Sequence, residues 1–186
     1  MRLFVALEIP PEVREKLAAL IRELRAIAPK EKWVRAENLH ATLKFIGEVP
    51  PEKLDPIRKA LAAVQLDSPV KLDFRGLGFF PNEKHPRVFW ASIEASPNLK
   101  KLAADIELAT ERLGIAREQR PFSPHLTLAR FERRKLPEKL QTAVRENTTR
   151  EFGAVETNQF HLIESKLKPS GAEYTTLQSL SFVSGR

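Results

Sequence analysis

At 186 residues the chain is long enough for one domain, or for two small lobes that share a core. It has no cysteine, which excludes disulfides and thiol catalysis, and no apolar run that approaches the length of a membrane span. A formal charge of +7, with 30% of residues charged, favours an anionic partner such as RNA, a nucleotide or an acidic surface, although a solvated charge-rich surface would read the same way.

Arg2 to Ile9 is rich in β-forming residues and reads as a buried strand. Its apolar run is too short for a signal peptide and meets Glu8 and Pro10-Pro11, so a cytoplasmic location is expected. Pro10-Pro11 opens a helix whose stripe is Val13, Leu17, Leu20, Leu24 and Ile27, and Pro29 stops it. Lys30 to Glu37 reads as a loop carrying Trp33 and Arg35. Asn38 to Gly47 reads as a strand. A second helix follows Pro50-Pro51 with Leu54, Ile57, Leu61 and Val64 at helical spacing, its start expected at Pro56 with Asp55 as cap. Val70 to Phe80 alternates and then meets Gly76 and Gly78, which predicts a bent or bulged strand. Pro81 to Pro86 is turn-rich.

The same order then recurs. Arg87 to Glu94 is a strand, Ser96-Pro97 opens a helix closed by Gly114, and Arg117 to Pro124 is a basic loop. Ser123 to Phe131 is a strand, and Pro137 to Asn147 a short helix. Phe152 to Lys166 and Tyr174 to Val183 read as two strands around a turn at Pro169-Ser170-Gly171.

Displacing the chain by 85 residues superposes these halves without gaps. His40-Ala41-Thr42-Leu43 falls on His125-Leu126-Thr127-Leu128, and Arg35 on Arg120. Arg2, Phe4, Ala6, Lys16, Leu17, Ala18, Ala19 and Ile21 also fall on identical residues, so 12 of the 42 positions from Arg2 to Leu43 match. The repeat units run over about 1–84 and 85–186. The expectation is one α+β domain spanning 1–186, bilobal and pseudo-twofold, with mixed or antiparallel sheets covered by helices on their outer faces.

Along a strand, side chains alternate. His40 and Thr42 therefore share one face, as do His125 and Thr127, with Leu39, Ala41, Leu43 and Phe45 on the other. Two facing imidazoles make a general acid and a general base at neutral pH, and the threonine hydroxyls can donate to the oxygens of a bound anion. No metal or other cofactor is needed. A zinc site wants three or four ligands, and the remaining histidines, His85 and His161, have no such spacing. Neither a nucleophile elbow nor a phosphate-cradling glycine loop is present. By itself the spacing leaves open which histidine is acid and which base. Arg130 stands where the first unit has Phe45. Strict alternation turns both away from the histidines, so a substrate-binding role for Arg130 requires the strand to bend there. Arg35 and Arg120 could flank the site and meet RNA phosphates, or be merely solvated. Trp33 and Tyr174 could stack a terminal base or pack at the rim.

The paired His-x-Thr motifs, together with Arg2 to Leu7, Leu39 to Gly47, Arg87 to Trp90, Pro124 to Arg130 and the Leu162, Ser165, Gly171, Tyr174 pattern, resemble the 2H phosphoesterase superfamily, and within it the RNA 2′,3′-cyclic phosphodiesterases, also called 2′-5′ RNA ligases. The resemblance implies a LigT-like bilobal fold and metal-independent opening of a terminal 2′,3′-cyclic phosphate to a 2′-phosphomonoester. It implies His40 as proton donor, His125 as proton acceptor, and Thr42 and Thr127 as phosphate binders. The substrate would be RNA with cyclic phosphate ends, tRNA fragments included, and the protein a monomer not bound to membrane. A 2H enzyme for small cyclic nucleotides or 2′-5′ oligonucleotides is a rival reading. A basic RNA-binding module without turnover is another.

Overall fold

The computed structural model describes residues 1–132 and 135–184, and within them nine strands and four α-helices. The first unit gives β1 (Arg2–Leu7), α1 (Pro11–Ile27), β2 (Lys32–Trp33), β3 (Ala41–Glu48), α2 (Leu54–Ala62) and β4 (Val70–Phe80). The second gives β5 (Val88–Ala95), α3 (Asn98–Glu111), β6 (His125–Arg130), α4 (Glu138–Glu146), β7 (Glu151–Thr157), β8 (Gln159–Lys168) and β9 (Gly171–Ser181).

The long helix α1 forms where the pattern predicts. Pro11 occupies a first-turn position whose missing N–H costs nothing, and Glu12 and Arg25 sit at the ends that favour their charges. Val13, Leu17, Leu20, Ile21 and Leu24 are buried, each burial worth roughly 1.5–3 kcal/mol. Ile27 is only partly buried, because the chain turns away there. The Trp33 indole N–H donates to the Ala28 carbonyl at 2.8 Å and so satisfies a carbonyl at the helix end.

Three local expectations need correction. Helix α2 starts at Leu54 rather than Pro56. Pro56 lies in its first turn, where no N–H is required, and Asp55 makes no cap. The stretch read as one strand from Phe152 to Lys166 is two, β7 and β8, parted at Asn158 as the chain passes between sheets. The loop before His40 contains β2 and a short 3-10 turn over Ala36–Asn38.

The strands form two sheets, ordered β3-β1-β8-β9 and β2-β6-β5-β4-β7. Every strand pairing within them is antiparallel. The sheets do not follow the repeat. Strand β4 leaves the first unit to pair with β5, and β8-β9 return from the second unit to pair with β1. The helices are exchanged as well: α1 packs on β7 of the second sheet, and α3 on β3 of the first. One apolar cluster, from Leu3 to Phe182, therefore runs through both lobes.

The predicted irregularity in β4 is real. Gly76 takes φ +84°, and the pairing with β5 shifts between Phe74 and Leu77. At Gly78 the Trp90 ring occupies the space where a Cβ would stand, and Trp90 is itself packed on Phe80. Gly78→Ala is therefore expected to cost about 1–3 kcal/mol, seen as a fall of roughly 2–12 °C in Tm. An unchanged melting curve would show that the Trp90 ring moves aside freely.

Candidate active site

The two motif strands approach each other, β3 at the edge of its sheet and β6 beside the short edge strand β2. On the first sheet, register places Thr42 opposite Ala6. Phe4 and Ala6, with Ile163 and Tyr174, form a small apolar cluster separate from the main core. The faces of β1 are thereby sorted: Leu3, Val5 and Leu7 look to the helices, while Phe4 and Ala6 look to the opposite, histidine-bearing side. On the second sheet, Thr127 pairs with Trp90 and His125 with Ser92.

His40 lies one residue before β3 and His125 at the first residue of β6. Both are half-buried. Each ring is held by its Nδ1. His40 Nδ1 meets the Asn38 carbonyl at 3.2 Å, and His125 Nδ1 the Ser123 carbonyl at 2.7 Å. Positions 38 and 123 are themselves 85 residues apart, so the orienting contact is part of the repeat. A carbonyl only accepts, so Nδ1 carries the proton in both rings. Each Nε2 is left to take a proton when the ring is neutral or to give one when it is charged.

Alternation along the motif strands breaks after the second apolar residue. Ala6 faces Thr42 while Val5 faces Lys44, so Leu43 is an extra residue in β3. Trp90 faces Thr127 while Phe89 faces Ala129, so Leu128 is an extra residue in β6. These are β-bulges at repeat-equivalent positions. Each rotates the following side chains by one face. Phe45, expected in the core, is therefore 64% exposed and pairs with Phe4 on the histidine side. Arg130 pairs with Val88, which shares the face of Trp90 and Ser92, so it too lies on the side of its histidine and is exposed. The bend that a substrate role for Arg130 required is present.

Aromatic rings flank each imidazole. Phe4 and Tyr174 stand edge-on to His40, with centroids at 6.3 and 5.8 Å, and Phe80 stands edge-on to His125 at 5.0 Å. Tyr174 therefore packs against the site. Trp33 does not belong to it; its ring lies against Phe89 and Phe131 of the core. Arg35 is exposed, near Glu37 and the Ala172 carbonyl, and Arg120 is exposed in the loop before β6.

Several groups around His40 have no local sequence signal. The Asn38 side-chain amide donates to the Ala172 carbonyl at 2.8 Å and ties the start of β9, with Tyr174, to the histidine. Arg14 Nη1 donates to the Ala36 carbonyl at 2.5 Å and anchors the turn before it. His161 pairs with Ala6 in register, on the same face as Thr42. Its Nδ1 lies 2.9 Å from the Ser179 hydroxyl and its Nε2 3.7 Å from Glu8. Only tertiary pairing brings residues 8, 40 and 161 together. Burial holds His40 below the usual histidine range. The Asn38 hydrogen bond opposes this, the Arg14 charge adds to it, Glu8 opposes it and His161 adds to it. Burial likewise lowers His161, against the pull of Glu8.

A duplicated two-sheet fold with one histidine-threonine pair on each motif strand is the architecture of a two-histidine phosphoesterase. The chain belongs to the LigT-like phosphoesterase family, whose model matches residues 7–90 and 92–174, two stretches beginning 85 residues apart. An RNA 2′,3′-cyclic phosphodiesterase of Archaeoglobus fulgidus is 39% identical over 178 residues, covering 96% of this chain and 98% of its own length. One of Thermus thermophilus is 38% identical over 190 residues, covering 97% and 90%. Among solved structures, TT0787 of Thermus thermophilus matches with a TM-score of 0.81 at 35% identity, covering 98% of both chains. E. coli LigT complexed with 3′-AMP matches with a TM-score of 0.76 at 27% identity, again covering 98% of both.

His40 and His161 both bind a proton more weakly in the folded chain than in the unfolded one. Their contribution to stability is thus largest above the unfolded histidine pKa, about 6.5. It declines as pH falls from there through their lowered folded values. Thermal melts from pH 7.5 down to 5 are expected to show this loss, and His161→Asn to flatten it. A Tm independent of pH in that window would contradict the assignment.

Proposed function

We propose that the protein is an RNA 2′,3′-cyclic phosphodiesterase, a hydrolase that opens a terminal 2′,3′-cyclic phosphate to leave a 2′-phosphomonoester. The observation that carries this reading is the pair of imidazoles on equivalent strands, each held at Nδ1 by an equivalent carbonyl and so free to exchange a proton at Nε2. The name shared by its relatives supplies the substrate class.

In the proposed reaction, His125 takes a proton from water as the water oxygen attacks phosphorus. The bond from phosphorus to the 3′ oxygen breaks, and His40 gives its proton to that oxygen. Thr42 and Thr127 donate to the phosphate oxygens, and exposed Arg130, turned to this face by the Leu128 bulge, adds charge for the RNA backbone. With an RNA 5′-hydroxyl attacking phosphorus in place of water, and the bond to the 3′ oxygen breaking as before, the same proton transfers join ends through a 2′-5′ linkage, and their reversal cleaves it. Among the described residues no cluster of three His, Cys, Asp or Glu side chains could hold a metal ion, and turnover is expected to survive EDTA. RNA fragments, those of tRNA among them, are the proposed substrates for a cytoplasmic monomer formed by one bilobal unit. No described helix is long and apolar enough to cross a membrane.

The electrostatics of His40 bear on its role. In the free protein burial favours its neutral form, but an acid must begin protonated. A phosphate anion beside the ring supplies the missing counter-charge, so binding itself loads the proton.

Two outcomes follow. His40→Ala and His125→Ala should each reduce kcat on a short RNA 2′,3′-cyclic phosphate by about 10²–10⁴-fold, with circular dichroism and Tm near wild type. Full activity in either variant would remove that histidine from the chemistry. The alkaline limb of the pH profile should lie at higher pH for kcat, which reports the bound complex, than for kcat/KM, which reports the free enzyme. Coincident limbs would mean that substrate does not load the acid.

A further inference from the structure

Lys44 is the charged side chain buried in the core among the described residues, and the proposed chemistry gives it no part. It stands two residues after Thr42. Without the Leu43 bulge it would face the substrate; with it, Lys44 turns inward. Its ammonium donates to Glu107 Oε2 at 2.8 Å and to the Ala116 carbonyl at 2.6 Å. The two side chains are 2% and 14% exposed. The same Glu107 oxygen accepts the Glu118 backbone N–H at 3.3 Å. Nearby, Lys53 donates to the Leu113 carbonyl at 2.7 Å. Two lysines of the first repeat thus grip the end of α3 and the segment that leaves it.

That segment leads to the second motif. Residues 115–124 have no regular structure, and their register is set by what pins them. They end at Ser123, whose carbonyl holds the Nδ1 of His125, and at the histidine itself. The tether is not repeated: the position equivalent to Lys44 is Ala129, small and buried. A buried ion pair is a poor way to gain stability, because apolar residues of similar volume serve as well or better. Its directional bonds are what apolar packing cannot replace.

We propose that Lys44, with Glu107 as its partner, is a positioning residue that fixes the loop before β6 and through it the orientation of His125, so that the first motif strand sets the geometry of the second. The consequence for turnover rests on the reaction proposed above; the consequence for the His125 ring does not.

Lys44→Met alone leaves Glu107 buried without its partner and can fail to fold, so the decisive variant is Lys44→Met with Glu107→Leu. It is expected to melt near wild type, to lose about 10- to 100-fold in kcat on a short RNA 2′,3′-cyclic phosphate with little change in KM, and to shift or lose the hydrogen-bonded Nδ1–H resonance of His125 in NMR spectra while that of His40 stays. Lys44→Arg, which keeps the charge but replaces the compact ammonium bonded to both Glu107 and Ala116 by a larger, planar guanidinium, should show the same pattern in milder form and serves if the double variant does not fold. A folded double variant, or in its absence Lys44→Arg, with wild-type kcat and an unmoved His125 signal would overturn the proposal. Should wild type itself not open the cyclic phosphate, the reaction reading fails and the ring signal alone decides the role of Lys44.

Discussion

The bulge that follows the threonine of each motif strand governs what the site can contain. The ladder between β1 and β3 carries Leu43 as an extra residue, and the ladder between β5 and β6 carries Leu128. A regular strand would place His, Thr and the residue two further on along one face, and send residue 45 or 130 into the core. The bulge keeps the histidine and threonine together and then reverses the faces. It turns Phe45 and Arg130 out to the histidine-bearing faces and drives Lys44 and Ala129 in. Its cost is an unpaired stretch of ladder, met here by burying Leu43 and Leu128.

The exchange of elements makes that arrangement rigid. Because α1 covers β7 and α3 covers β3, neither repeat can bury its own sheet without the other. Strands β4 and β8 cross in opposite directions, so both sheets contain chain from both halves. The core is continuous, and the motif strands sit where the sheets meet. Relative movement of the lobes would have to open this shared core rather than a linker. The acid and base of the proposed reaction, acting on one phosphorus atom, would need that fixity, since misplacement by about 1 Å can cost two orders of magnitude in rate.

Much of this was legible in the sequence, for physical reasons. The repeat, the motif pair and every helix follow from identity at a fixed offset and from apolar spacing, which are local signals. The bulges were not legible, because Leu43 and Leu128 are ordinary strand residues whose extra status exists only against a partner strand. For that reason Phe45 was misplaced, and Arg130 could not be assigned a face. The division between β7 and β8 was hidden for a related reason: Asn158 alone separates two strands that belong to different sheets. His161 reaches the surroundings of His40, and Ala172 is tied to Asn38 there, through pairings that span much of the chain.

Duplication supplies two equivalent imidazoles, yet acid and base must differ. The template treats them alike: the same carbonyl position, the same threonine two residues on, the same bulge. The differences lie in what was added around each. His40 has Phe4 and Tyr174 against its ring, Arg14 and His161 disfavouring its charge, and Glu8 favouring it. His125 has Phe80 against its ring and a preceding loop gripped from the other repeat by Lys44. At the equivalent outward position one strand offers an apolar ring, Phe45, and the other a cation, Arg130. An RNA end is asymmetric in the same sense, with a base and ribose on one side of the terminal phosphate and solvent on the other. A symmetric cleft could bind it in two opposed orientations, only one of which breaks the bond to the 3′ oxygen. In the proposed reaction, an aromatic side chain on one motif strand and an arginine on the other would select between those orientations, and the twofold scaffold would so acquire a defined acid and a defined base.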